Sequence, residues 1–249
     1  MKWPFVIAAA AALLSGIASA AEIKVLSTQA TEQSYRELMP LFEKATGHKV
    51  TTLFTGTLDA DKRVLANEPY DLLIMSQSSI DAHVKGGKVV AGSRVDLARS
   101  GVAVGVKVGA PKPDISSVDA LKRTILNAKS IGYSTGPSGN YVLMMFERLG
   151  VADQVKPKLK QTATGVFVGS IIASGEVEIG FQQVSELSQY EGVDYVGPLP
   201  AEVQNYTTFS SGILSNAKQA DAARALVRYI TSPAAGAVFR KRGMEPGGS

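Results

Sequence analysis

Four short stretches of the chain combine small, hydroxyl-bearing and glycine residues as a loop must if it is to hold a small anion. They are Ser27 to Thr31, Thr55 to Leu58, Gly136 to Asn140 and Thr164 to Val166. Each stands between an extended apolar run and an amphipathic one. A helix start offers backbone N–H groups without an intrahelical partner and the positive end of the helix dipole, so such a loop can bind negative charge without a cation. None of the four contains Lys or Arg, which makes the donors neutral. Thr28, Thr31, Thr55, Gly56, Thr57, Gly136 and Ser138 are the ligand candidates from this reading. The same residue types also serve as plain N-caps and turn formers, so their shared position carries more weight than any single one. Lys62 and Arg63 follow the second loop by one turn; a side chain reaching back from there favours a carboxylate, which Arg pairs in bidentate fashion.

Covalent chemistry is poorly provided for. The nearest approach to a serine-hydrolase elbow, Gly136-Pro137-Ser138-Gly139-Asn140, lacks the closing glycine. The two histidines, His48 and His83, are not placed by sequence beside a nucleophile. With no cysteine there is no disulfide, no zinc–thiolate site and no lipid-modified Cys. Asp59 with Asp61 reads as a charged helix start, and Gly86-Gly87-Lys88 lacks the rest of a phosphate loop. The expectation is a binding protein without catalysis, metal or cofactor.

The elements that must position these loops alternate along the chain. Ile23 to Leu26, Lys49 to Phe54 and Asp71 to Met75 read as strands, each followed by a helical stretch, the pattern of parallel strands joined by helices. In the first helix Leu38, Leu41, Phe42 and Ala45 share one face of a 3.6-residue repeat and Gly47 stops it. Pro40 inside it predicts a kink or a start after Thr31. A second set follows: a helix capped by Ser116 or Ser117, a strand at Ser130 to Tyr133, helices at Asn140 to Leu149 and Val166 to Ala173, and a strand at Glu176 to Gln182. Val102 to Val108 and Tyr206 to Leu214 are extended and apolar enough to cross between the two sets, and helices at Asp221 to Thr231 and Pro233 to Lys241 return to the first.

Residues 1–20 read as a signal peptide, with Lys2, an apolar run from Phe5 to Leu14 and the small residues Ala18-Ser19-Ala20 before cleavage. No later run is long and apolar enough to span a membrane. Loss of Lys2 leaves 25 basic against 22 acidic residues, a formal +3. The signs are interspersed, which excludes a nucleic-acid binder; the densest cluster, Arg240-Lys241-Arg242, suits the C-terminus of a helix. The remaining 229 or so residues, in a chain that is 45% apolar, suggest two compact lobes.

Several motifs, taken in order, resemble the molybdate-binding proteins of ABC importers, within the type II periplasmic binding proteins. They are Phe42 to Val50, Thr55-Gly56-Thr57-Leu58, Tyr70 to Ile74, Ser174 to Phe181, Ala223 to Val227, Ser232-Pro233 and Arg242 to Pro246. The resemblance implies an α/β protein of two Rossmann-like lobes, each with a central mixed sheet, joined by two crossover strands. Residues 21–102 with 208–249 form lobe I, and 103–207 form lobe II. Carried over by position, ligand contacts fall at Ala30, Thr55, Ser76, Gly136, Gly165 and Gln183. A serine of the family is Ala30 here and a tyrosine is Gln183, while the run Gln182 to Glu186 resembles a sister group. Gln183 and Ser185 fit either the ligand site or a lobe interface. The implied protein is a monomeric periplasmic receptor that closes on a small anion, a molybdate-like oxyanion or a small carboxylate, and hands it to an ABC-transporter permease. A sensory subunit docking on a membrane kinase, or a hydrolase, is the alternative.

Overall fold

The computed structural model describes residues 20–247. The expected signal peptide lies outside them except for Ala20. The elements run β1 (Glu22–Thr28), α1 (Glu32–Thr46), β2 (Lys49–Thr55), α2 (Thr57–Leu65), β3 (Leu72–Ser76), α3 (Gln77–Lys85) and β4 (Val95–Lys107). Next come α4 (Val118–Asn127), β5 (Ile131–Tyr133), α5 (Pro137–Arg148), α6 (Ala152–Val155), β6 (Leu159–Gln161), α7 (Val168–Ala173), β7 (Ile179–Gln183) and α8 (Val184–Leu187). The chain closes with β8 (Val193–Pro198), β9 (Tyr206–Ile213), α9 (Ala220–Ile230), α10 (Pro233–Lys241) and β10 (Glu245–Pro246).

The strands are hydrogen-bonded in the order β2-β1-β3-β9-β4-β7-β5-β6, with β8 and β10 also on β4. This corrects the expectation of two separate sheets: the structure has one curled, ten-stranded mixed sheet. The reason lies in β4. Its first part, Val95 to Gly101, pairs antiparallel with β9, and from Val102 onward it pairs with β7 and β8, so one strand belongs to both ends. The side chain of Gln204 bridges that exchange of partners, accepting from the Val102 N–H at 2.8 Å and donating to the Val102 carbonyl at 3.0 Å. At the two ends β1 pairs parallel with β2 and β3, and β5 with β6 and β7. Parallel pairs need crossover helices, which explains the βα alternation in the sequence.

Apolar side chains divide into clusters on both faces of each end of the sheet. In β3, Leu72 and Ile74 join a core with α1, α9 and α10, while Leu73 and Met75 point to the α2 and α3 side. All four are fully buried, as a strand covered on both faces requires. At the other end Val102, Val104 and Val106 pack with α4 and α5, and Ala103 with α7.

The face expected of α1 needs correction. Leu38 and Phe42 are buried, but Leu41 and Ala45 are exposed, and Tyr35 and Met39 take their places. The helix starts at Glu32, after a 3-10 turn at Gln29–Thr31, and carries Pro40 on its exposed side, where water can reach the carbonyl that the proline leaves unpaired. Lys241 and Arg242 pair with Glu37 of α1, a more specific role than the helix-end stabilisation read from sequence.

Asp71, just before β3, is buried and takes backbone donors from two distant segments. Its carboxylate accepts from Lys24 N at 2.9 Å and from Lys218 N and Gln219 N at 2.8 Å, fastening β1 to the chain ahead of α9. Asp71→Ala strands three N–H groups and should lower the unfolding free energy by about 3 kcal/mol. Urea unfolding measures this, and a loss below about 1 kcal/mol would show that water replaces the carboxylate.

Candidate functional site

The strand-to-helix loops of both ends of the sheet meet in one cleft. Thr28, Gln29 and Ala30 follow β1, and Thr55, Gly56 and Thr57 join β2 to α2. From the other end come Ser134 to Ser138 ahead of α5, Gly165 and Val166 ahead of α7, and Gln182, Gln183 and Glu186 around the start of α8; Phe209 of β9 completes the wall. The cavity proper is small, about 40 Å³. It lies beyond the carboxyl ends of the strands, where open α/β sheets bind ligands.

Helix starts in the molecule are of two kinds, with and without a side-chain cap. Serines cap α3, α4 and α10: Ser76, Ser117 and Ser232 each accept a backbone N–H through the side chain. The starts at Thr28, at Gly56 for α2 and at Gly136 for α5 have no side-chain cap. At α2 the first N–H groups are therefore available to a ligand, whereas at α5 the Gly136 N–H donates to Ser134 Oγ at 3.2 Å and Pro137 has none, so only those that follow are open. Beside them the Thr28 hydroxyl is buried without a hydrogen-bond partner. A buried, unsatisfied hydroxyl is costly in isolation, and a ligand acceptor in the cleft would satisfy it.

Close approach between the loops depends on glycine. A Cβ on Gly56 would lie 2.5 Å from the nitrogen of Gly165 and 2.7 Å from the Thr164 methyl group. Gln29 Nε2 donates to the Gly165 carbonyl at 2.7 Å across the same gap. Within the α5 loop, a Cβ on Gly139 would lie 1.8 Å from the Ser134 carbonyl oxygen, so the loop folds onto its own helix only with glycine there.

Nine of the twelve residues singled out from sequence line the cleft: Thr28, Ala30, Thr55, Gly56, Thr57, Gly136, Ser138, Gly165 and Gln183. Three do not. Thr31 is buried behind the loop with Ser27, hydroxyl to hydroxyl at 3.0 Å. Ser76 is occupied as the cap of α3, and Ser185 lines a neighbouring groove. Gln183 reaches the cleft, but its amide is engaged elsewhere. The arrangement that satisfies it accepts from the Thr207 hydroxyl at 3.0 Å and donates to the carbonyls of Ser100 at 2.9 Å and Gly101 at 3.2 Å. It thus ties β7 to both long central strands.

Neither basic residue near the second loop lines the cleft. Lys62 is exposed, and Arg63 is paired with Asp59 at 2.8 Å and Glu68 at 2.9 Å, while Asp59 also accepts from Thr55 Oγ1 at 2.8 Å. These bonds hold the Asp59 carboxyl below the usual carboxylate range, Arg63 being the largest cause. The histidines stay apart from the site: His48 accepts the Ala21 N–H, and His83 is buried against Asp61. Ser138 bonds to Ser134 at 3.2 Å, so no serine–histidine pair forms here. Among the described residues there is no cluster of three or more metal-ligating side chains.

Sequence reasoning missed Gln29, Ser134, Thr135, Gln182 and, above all, Glu186. Gln29 lies inside a loop already chosen but bears an amide where hydroxyls were sought, and Ser134 and Thr135 adjoin the next, where a wider window would have included them. Glu186 is the one ionisable side chain on the cleft wall among the described residues. Gln182 Nε2 donates to its Oε1 at 2.9 Å, while Gln182 Oε1 accepts from Val168 N at 2.8 Å. Loss of water pushes this carboxyl up to about 8, against smaller opposing bonds from Gln183 and Gln182.

Comparison with known proteins gives a consistent family. Residues 23–245 match the family described as bacterial extracellular solute-binding protein. A Pseudomonas sp. protein named aconitate isomerase is 36% identical over 230 residues, covering 90% of this chain and 87% of the relative. The molybdate-binding protein ModA of Azotobacter vinelandii is 28% identical over 244 residues, covering 96% and 95%. A solved structure of an A. vinelandii periplasmic molybdate-binding protein superposes with a TM-score of 0.76 at 18% identity, covering 89% of this chain and 98% of the other, which shows a shared fold.

The raised Glu186 carboxyl makes stability depend on pH. Between the ordinary value of 4.5 and about 8 the folded chain keeps a proton that the unfolded chain releases, so rising pH through that window destabilises the fold. The full shift corresponds to about 5 kcal/mol, and the part of Glu186 that meets solvent reduces this to on the order of 2 to 3 kcal/mol. Glu186→Gln should therefore gain on wild type by that amount when urea midpoints at pH 5 and pH 8.5 are compared. A constant difference at both pH values would assign the carboxyl an ordinary titration.

Proposed function

Because this chain belongs to the bacterial extracellular solute-binding protein family, we propose that it is a periplasmic receptor that captures a small organic carboxylate and delivers it to an ABC-importer permease. In this reading residues 21–102 with 208–249 act as one lobe and 103–207 as the other, and the monomer hinges where β4 and β9 pass between them. In this reading the chain is exported; among the described residues no helix is long and apolar enough to cross a membrane.

The observation that carries the reading is the convergence of uncapped helix starts from both ends of the sheet on one cleft, beside the unpartnered Thr28 hydroxyl. Donors from two sides make a ligand contribute contacts that exist only when the cleft is shut, and that difference shifts an open–closed equilibrium. The choice of a carboxylate over a tetrahedral oxyanion rests on the donors present. Ala30 offers no hydroxyl, and the Gln183 amide is occupied by Thr207, Ser100 and Gly101. Glu186, protonated at neutral pH, can instead donate to a carboxylate oxygen, and the Gln29 and Gln182 amides widen the polar wall.

A second reading is enzymatic: isomerisation of an unsaturated carboxylate in the same cleft. What favours it is the relative named aconitate isomerase, at 36% identity, together with a desolvated carboxyl on the wall.

A thermal-shift and calorimetric panel of trans-aconitate, citrate, succinate, molybdate, tungstate and sulfate tests the proposal. At 100 times Kd a ligand should add about 2.7 kcal/mol of stability, and the carboxylates should produce that shift. Response to molybdate or tungstate alone would replace the ligand class, and silence across the panel would remove the receptor. Gly56→Ala isolates closure, because φ of −78° suits any residue while the new Cβ meets the Gly165 backbone. Its affinity for the responding ligand should fall about 10- to 100-fold, or about 1.4 to 2.7 kcal/mol. An undiminished affinity would show that the loops need not touch.

A further inference from the structure

A second groove, open to solvent and about 580 Å³ in volume, adjoins the cleft. One side is formed after β1 by Gln29, Glu32 and Gln33, and the other by Phe167 ahead of α7 and by Tyr190 and Glu191 after α8. Among the described residues no Lys or Arg lines it, and its carboxyl groups are those of Glu32, Glu186 and Glu191. Burial, with a smaller push from Glu32, raises the Glu186 carboxyl to about 8, so the negative charge of the groove belongs to Glu32 and Glu191. Arg36 offsets only part of it. Both of its contacts, at 2.7 Å, fall on Glu32 Oε1, and Oε2 has no ion-pair partner.

Aromatic rings stand beside this charge. Phe167 and Tyr190 both line the groove with ring centroids 5.6 Å apart, and the Tyr190 ring is seated on Gly169, where a Cβ would come within 2.3 Å of it. Ring faces attract ammonium groups, and their apolar bodies suit a carbon chain. Ser185 lines the groove as well; it is 3% exposed, and its hydroxyl is buried without a hydrogen-bond partner. A bound N–H donor would satisfy that oxygen, which is costly to leave unmatched. We infer that this groove is a second binding site, separate from the anion cleft, for an organic amine in its cationic form. The ammonium N–H groups donate to the Glu32 and Glu191 carboxylates and to Ser185 Oγ, while the carbon chain lies against Phe167 and Tyr190. Two carboxylates on opposite sides favour a diamine, whose two charged ends match them. Such a ligand touches residues from both ends of the sheet.

The test is an NMR titration of the mature chain with 1,4-diaminobutane, and with butane-1,4-diol as the neutral compound of equal length. Wild type should bind the diamine at least about 10-fold more tightly than the diol, because two charges meet carboxylates and rings. Glu191→Gln and Glu32→Gln should each weaken the diamine by about 5-fold, and Tyr190→Leu, which keeps an apolar body but no ring, by about 3- to 5-fold. Glu191 is exposed, so its variant probes the charge without disturbing the core, and melting temperatures check the other two. No binding of the diamine, or equal affinity for the diol, overturns the inference. Undiminished affinity in all three variants places the amine elsewhere and overturns the assignment of this groove. Displacement of the diamine by magnesium at equal concentration overturns it too, since attraction to bare charge would then suffice. None of these outcomes depends on which anion the cleft takes.

Discussion

The antiparallel pairing of β4 with β9 is the constraint on which the remaining architecture depends. These two strands bring the parallel units of both ends into one sheet, and β4 changes partners between Gly101 and Val102. Every loop of the cleft is placed by reference to that pair. The β1 and β2 loops reach it through β3, which pairs with β9, and the β5 loop through β7, which pairs with β4. Gln183 and Gln204 reinforce the handover with side-chain amides that stand in for missing backbone partners. Polar side chains at this point are used to keep the sheet continuous.

Serine side chains close the starts of α3, α4 and α10, whereas the starts of α2 and α5 on the cleft carry glycine and lie near the unpartnered Thr28 hydroxyl. Arg63, the cation nearest by sequence, is neutralised by Asp59 and Glu68 before it can act on a ligand. An anion entering this space meets oriented dipoles in a water-poor setting rather than a fixed positive charge. The same dry setting raises the proton affinity of Glu186, so capture of a negative ligand and retention of a proton on the wall favour one another.

Glycine decides how near the opposing loops may come. At Gly56 a methyl group would collide with backbone of the facing loop although the local φ and ψ would accept it. The residue is thus there for approach and not for backbone conformation, unlike Gly165, whose φ of +79° lies in the left-handed region. One loop needs glycine for the neighbour's sake and the other for its own.

Much of this was legible in the chain. Apolar runs alternating with helical periodicity imply parallel βα units, and small hydroxyl-rich loops at strand-to-helix junctions mark residues that line the cleft, because both follow from local backbone rules. Leu41 was misplaced since spacing alone cannot tell which flank of an amphipathic helix meets the sheet. Only tertiary structure decided between Ser76 as a helix cap and Gly136 on the cleft wall, since both precede a helix in sequence. Only it occupied the Gln183 amide, sequestered Arg63 and set Glu186 on the wall. Each of those outcomes depends on partners distant along the chain or on loss of water, and neither is written in the residues on either side.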